Sequence, residues 1–305
     1  MEHDDADVSV VRQLGFECQG PIDVSVELDG GRLDITLGED TAATSEVTVQ
    51  VRPGWTGPHS WNVGINGLLS WLGEQTGAVP LSELAAEAVR RTTIDFTGQR
   101  LTVCSPREFP LRTVPLIIQV SAPSGSTITG RSGSADVTIA GEAAGLETTT
   151  GSGQVRAQRC TGAADVRTGS GDVRLGTVLG RLRVRTGSGQ VEVTSVEGAE
   201  GAGSVQTGSG DVRLGAVKHD VNARTGSGDL TVVDAWAGGL DLTTGSGQLR
   251  VGIHPGVLAE LDVSSGSGRA RSDLAVGGPP AEGNAALRVR ARTGSGDALV
   301  TAAPS

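Results

Sequence analysis

TGSGDVRL (168–175), TGSGQVEV (186–193) and TGSGDVRL (207–214) are three copies of one phrase, and their recurrence decides the fold. The same phrase reads SGSADVTI at 132–139, TGSGQVRA at 150–157, TGSGDLTV at 225–232, TGSGQLRV at 244–251, SGSGRARS at 265–272 and TGSGDALV at 293–300. The first glycines, at 133, 151, 169, 187, 208, 226, 245, 266 and 294, are separated by 18, 18, 18, 21, 18, 19, 21 and 28 residues. A fixed step of this size marks a repeat architecture in which each unit buries its face only against its neighbours.

Within a unit, apolar and polar residues alternate on both sides of Gly-Ser-Gly. Val173 and Leu175 flank Arg174 after one corner, and Leu182 and Val184 flank Arg183 before the next. Alternation with period two describes strands with one buried face. Glycine supplies the reversal, because it reaches positive φ without a Cβ clash. One unit is therefore strand, Gly-rich corner, strand, second corner. Two arrangements fit: an antiparallel meander, or a parallel β-helix (β-solenoid) whose coils stack at ~4.8 Å. The solenoid is the better fit, because near-identical coils meet copies of themselves and the corner is not the two-residue Asn-Gly of a tight hairpin. The fold class is all-β, a parallel β-solenoid with 18–21-residue coils and a short helical insertion.

Stacking would also place Asp136, Gln154, Asp172, Gln190, Asp211, Asp229, Gln248, Arg269 and Asp297 in one row. Adjacent Asp would repel by ~1 kcal/mol in water. Alternation with Gln spaces like charges ~10 Å apart, near the screening length.

Residues 126–305 form the regular part. Residues 1–125 read as irregular coils of the same structure, with strands at 22–28, 32–37, 46–51, 99–103 and 115–120. Residues 53–91 differ in kind. Ile65, Leu68, Leu69 and Leu72 make a helical stripe, and residues 82–91 make a second helix with Ser82 as N-cap. This insertion, which also holds Trp61 and Trp71, is expected to cap the coils or to offer Trp61, Leu68, Trp71 and Leu72 to a partner.

Composition narrows the function. The chain of 305 residues has 47 Gly, about twice the roughly 7% of average usage, and no Tyr. So few aromatic rings suit a narrow aliphatic interior and not a lined pocket. A net charge of −10 argues against nucleic acid. Cys18, Cys104 and Cys160 lack CxxC spacing and read as reduced, buried thiols. No leader or membrane-spanning run is legible, so the expected location is the cytoplasm.

Catalytic and cofactor motifs fail on their context. GSGDVR lacks the third Gly of a dinucleotide fingerprint and leads into a strand. His3, His59, His219 and His254 are isolated, and no metal or cofactor is expected. Calcium is the alternative with most substance, because toxin-type β-rolls also use 18-residue coils. Their phrase differs, however: here Asp directly follows Gly, and Gln replaces it in three coils. A polysaccharide-active enzyme on a β-helix is the third reading, and it would need long loops around a groove.

A binding face has its own signature. Two residues before each corner glycine stand Arg131, Thr149, Arg167, Arg185, Gln206, Arg224, Thr243, Ser264 and Arg292. Stacked coils would line them up as a ladder for an anionic polymer or glycan, with Arg131, Arg167, Arg185, Arg224 and Arg292 as its contacts. Self-association through the insertion or the solenoid ends is the other expected contact.

The T-G-S-G-[DQ]-V phrases, the opening IDVSVELDGGRLDITLG (22–38) and VPLIIQVSAPSGSTI (114–128) resemble the bacterial β-strand-repeat "putative adhesin" family, a domain of unknown function. The resemblance spans residues 20–300 and implies a β-helix-like fold with no catalytic residues to carry over. The expected function is a non-enzymatic structural or interaction scaffold.

Overall fold

The computed structural model describes residues 10–38, 45–54, 80–198, 201–274 and 285–304. The N-terminal third contributes β1 (Arg12–Cys18), β2 (Asp23–Leu28), β3 (Gly31–Gly38), β4 (Ser45–Pro53), helix α1 (Leu81–Arg91), β5 (Thr93–Thr97), β6 (Arg100–Cys104) and β7 (Leu116–Pro123). The coils then alternate between two sheets. One receives β8 (Thr127–Ser132), β10 (Gly145–Thr150), β12 (Ala164–Thr168), β14 (Leu182–Thr186), β16 (Gly203–Thr207), β18 (Val221–Thr225) and β20 (Gly238–Thr244). The other receives β9 (Asp136–Ala143), β11 (Val155–Cys160), β13 (Val173–Val178), β15 (Val191–Val196), β17 (Val212–Val217), β19 (Leu230–Ala235) and β21 (Leu249–Ile253). Four strands finish the chain: β22 (Ala259–Ser265), β23 (Ala270–Ser272), β24 (Leu287–Thr293) and β25 (Ala298–Ala302).

Equivalent strands run parallel and in register, Val166 beside Val184 in one sheet and Val173 beside Val191 in the other. Among the described residues sheets of thirteen and twelve strands result, and the protein is a parallel β-solenoid. The alternation in the sequence becomes alternation of burial: β12 and β14 turn Val166, Leu182 and Val184 inward at no more than 1% exposure. Their polar residues face out. The interior is a thin double layer of Val, Leu, Ile and Ala.

Stacking order departs from chain order at both ends. β2 lies between β6 and β8, and β3 between β7 and β9, so the first coil is inserted behind a later one. At the other end β24 lies between β20 and β22, and β25 between β21 and β23. The long final step in the repeat spacing thus belongs to a coil that folds back to sit one place inward.

The N-terminal third is not coils alone. β1 and β4 pair antiparallel beside β7, and β5 pairs antiparallel with β6. Together they close the end of the barrel-less stack. Phe16 of β1 and Phe96 of β5 bridge the two sheets with ring centroids 5.2 Å apart. α1 packs Ala85, Ala88 and Val89 inward as a lid on that end. Its N-cap is Pro80 with no side-chain cap bond, not Ser82. The helical stripe 65–72, with Trp61, Leu68, Trp71 and Leu72, lies outside the described residues.

Candidate functional site

The Thr-Gly-Ser-Gly corner is first a structural device. Each Thr is buried, and its Oγ1 accepts the backbone N–H three residues on, as in Gly171 to Thr168 (2.9 Å) and Gly189 to Thr186 (3.0 Å). Several also donate to the coil behind: Thr225 to Gly210 O at 3.0 Å and Thr244 to Gly228 O at 2.9 Å. Thr207 does both, accepting from Gly210 at 3.1 Å and donating to Gly189 O at 3.3 Å. Thr207→Val keeps the shape but strands a buried N–H and a buried C=O. It is expected to destabilise by about 1–3 kcal/mol in a urea melt, against near zero for the exposed Ser209→Ala.

The corner glycines are required for a different reason than the reversal suggests. None of them is among the glycines with positive φ. They are there because the coils touch: a Cβ on Gly171, Gly189 or Gly210 would lie 1.9 Å from the carbonyl oxygen of the equivalent glycine one coil back.

The residue after each second glycine couples coils as well. Asp136 Oδ1 accepts the backbone N–H of Gln154 (2.8 Å), Asp172 Oδ1 that of Gln190 (3.0 Å) and Asp211 Oδ1 that of Asp229 (2.8 Å). The Gln side chains bond sideways instead, Gln154 to Arg156 and Gln248 to Arg250. These carboxylates thus stitch backbone between coils, and among the described residues no three His, Cys, Asp or Glu side chains converge as a metal set.

Register along the twelve-stranded sheet sets Arg131, Thr149, Arg167, Arg185, Gln206 and Arg224 side by side. The row continues to Thr243, then Arg292, then Ser264, the last two exchanged relative to sequence order because β24 is inserted. A parallel row two residues earlier holds Asp165 and Asp262 together with Arg183 and Arg290. Arg167 bonds Asp165 at 2.9 Å and Arg292 lies 3.4 Å from Asp262, while Arg131 lies 3.7 Å from Glu27, its neighbour in the same row on β2. Arg185 and Arg224 are exposed, and neither has a carboxylate partner among the described residues.

Two features escaped the sequence reading. The thirteen-stranded sheet has its own outer row, Arg156, Arg174, Glu192, Arg213, Thr231 and Arg250, visible in the alternation once both strands of a coil are aligned. The second corner carries a column of Glu197, Lys218, Trp236 and His254. Trp236 stacks on His254 (centroids 3.3 Å apart), and Asp234 accepts from Trp236 Nε1 at 2.6 Å and faces His254 Nδ1 at 3.0 Å. Lys218 bonds Glu197 at 3.0 Å, and that contact holds the Glu197 carboxyl below its usual range. His254 covers one face of the indole, the Lys218 ammonium lies over the ring at 5.8 Å from its centroid, and Trp236 stays 38% exposed.

The surface offers shallow grooves. One of about 540 Å³ lies between Glu27, Asp29, Arg107, Arg112 and Arg131, where Arg107 already bonds Glu27 and Arg112 lies 3.8 Å from Asp29. Cys18 and Cys160 are buried, Cys104 only half so, and burial pushes the Cys104 and Cys160 thiols up. None of the three is in a disulfide. No helix among the described residues is long and apolar enough to cross a membrane.

A two-sheet parallel solenoid with Thr/Gly corners and repeating outer rows defines the class. The chain belongs to the Toastrack DUF4097 family, whose model matches residues 110–301. Among solved structures it is similar to a "putative adhesin" from Parabacteroides distasonis ATCC 8503, at 12% identity over 94% of this chain and 97% of that one, with a TM-score of 0.47. A "putative adhesin" from Bacteroides fragilis NCTC 9343 matches at 13% identity, 95% and 97% coverage and a TM-score of 0.41. A "putative lipid binding protein" from Parabacteroides distasonis ATCC 8503 matches at 11% identity, 94% and 96% coverage and a TM-score of 0.38. No curated protein matches the sequence.

Proposed function

We propose that the protein is a non-enzymatic scaffold whose twelve-stranded sheet presents its outer row to a linear anionic polymer. The observation that carries this reading is the row itself: Arg185 and Arg224 are exposed without carboxylate partners among the described residues, in register with Arg167 and Arg131. A rigid ladder recurring at ~4.8 Å meets a repeating ligand with little ordering cost, since the strands are already fixed. Each guanidinium adds a modest contact, and a run of them gives affinity by number. The surrounding acids oppose nonspecific attraction, so binding should be short-range and weakened by salt.

An enzyme reading has less support. The corner Ser recurs in all nine phrases, with Gly on both sides in eight, and His254, paired with Asp234, is stacked flat against Trp236. The test replaces Arg167, Arg185 and Arg224 together by Ser and measures retention on immobilised polygalacturonate. The triple variant should elute at clearly lower salt than the parent while its melting curve stays within a few degrees. Equal retention of both proteins removes the proposal.

A further inference from the structure

The two ends of the solenoid are finished differently. At the N-terminal end, β1, β5, α1 and the Phe16–Phe96 pair cover the interior. At the C-terminal end the outermost strands are β22 and β23; like β1 and β5 each has a neighbour on one side only among the described residues, but no aromatic pair or helix among those residues lies over the core between them. The same inward positions that are sealed in β24, with Leu287, Val289 and Ala291 at 0% exposure, are only partly covered in β22 at Ala259, Leu261 and Val263. Leu258 beside them is 74% exposed, and all of β23 is exposed. Among the described residues nothing pairs with the outer edges of β22 and β23, and such an edge leaves backbone donors and acceptors and a strip of core unpaired.

The strands at the two edges carry opposite charges. Outward from β22 stand Glu260 and Asp262; on and just before β23 stand Arg271 and Arg269, with Asp273 just after the strand and 3.5 Å from Arg271. Glu260 and Asp262 already meet Arg288, Arg290 and Arg292 of β24, yet remain 61% and 56% exposed. Two copies can meet end to end about a two-fold axis in two ways, both antiparallel. If the axis is perpendicular to the sheets, β22 meets β22 and β23 meets β23, so that acid faces acid and base faces base. If the axis runs along the strands, β22 of each copy meets β23 of the other, and acid faces base at both edges. Like charges directly opposite destabilise a strand pair, whereas unlike charges stabilise it.

We propose that the C-terminal end is a dimer interface, in which β22 of one copy pairs with β23 of a second copy about a two-fold axis along the strands. Leu261 and Val263 of each copy then cover the open core of the other, and the two sheets run on through the dimer. Because a two-fold contact uses the same surface of both copies, it closes after two and does not propagate into a fibre. The row ends at this edge with Arg292 and Ser264, but Arg167, Arg185 and Arg224, which the polymer test removes, lie on inner strands, so loss of retention in that variant and loss of dimerisation are separate readouts.

Sedimentation velocity of the full chain across a dilution series tests this. The expected result is a reversible dimer. Asp262→Arg should weaken it about tenfold or more, the loss of ~1.4 kcal/mol of pairing, and Arg271→Asp should do the same. The double variant D262R/R271D exchanges the signs and should restore association, while circular dichroism melts show all three folded. A parent chain that stays monomeric at every concentration overturns the proposal. Single variants that dimerise like the parent, or a double variant that does not recover, overturn it too.

Discussion

Gly189→Ala is expected to unfold the solenoid locally and lower its stability by about 3 kcal/mol or more, the upper range for overpacking. The added methyl would sit 1.9 Å from Gly171 O, 2.5 Å from Gly171 C and 2.9 Å from Thr186 Oγ1. Two of these atoms are backbone, so no flexible side chain can move aside. The corner must open, which pulls on the bonds from Gly187 and Ser188 N–H to Gly169 O (2.8 and 3.3 Å) and on the Gly189–Thr186 bond. Hydrogen exchange should show protection lost first in the coils on either side of residue 189 and kept near the N-terminal cap, because each coil contacts only its neighbours. Ser188→Ala, one residue away and exposed, should stay within about 0.5 kcal/mol of the parent. Equal melts for the two variants would mean that the coils do not approach as closely as described.

Leu214→Ala carries the second large effect. Leu214 is fully buried in β17, in register with Val193 behind and Val232 ahead. The interior is two side chains deep, and among the described residues the aromatic rings packed against it, Phe16 and Phe96, lie at the N-terminal end, away from β17. Parallel strands bonded on both sides cannot close the gap. The expected cost is therefore about 2–5 kcal/mol in a urea melt, with Val193→Ala, which removes less, falling below it. A cost under ~1 kcal/mol for Leu214→Ala would show that the sheets relax towards each other.

Much of this was legible in the repeat. The nine phrases give parallel, in-register coils because each apolar position finds its own copy one step away, and β8 to β21 follow that rule. The Arg row came from the same arithmetic. The exchange of the last two coils did not, since β22 and β24 present near-equivalent edges and spacing alone cannot order them. Nor did the antiparallel closure by β1, β4 and β5: strand patterns do not encode direction. The corner glycines were legible as necessary but not for the right cause, because a contact between coils leaves no mark within one coil. The Trp236 column was missed because its members are spread over four coils and only the stacking unites them.

Stacking in register underlies the ladder, the corner contacts and the open end alike. Pulsed electron-electron distance measurement between nitroxide labels tests it most directly, in a chain whose Cys18, Cys104 and Cys160 are replaced by Ala. Labels at Thr149 and Arg224 stand four strand steps apart, and labels at Thr149 and Arg292 six. At ~4.8 Å per step the second distance should exceed the first by about 10 Å, whatever the label linkers add to both. A difference near zero, or a shorter second distance, would contradict the stacked solenoid.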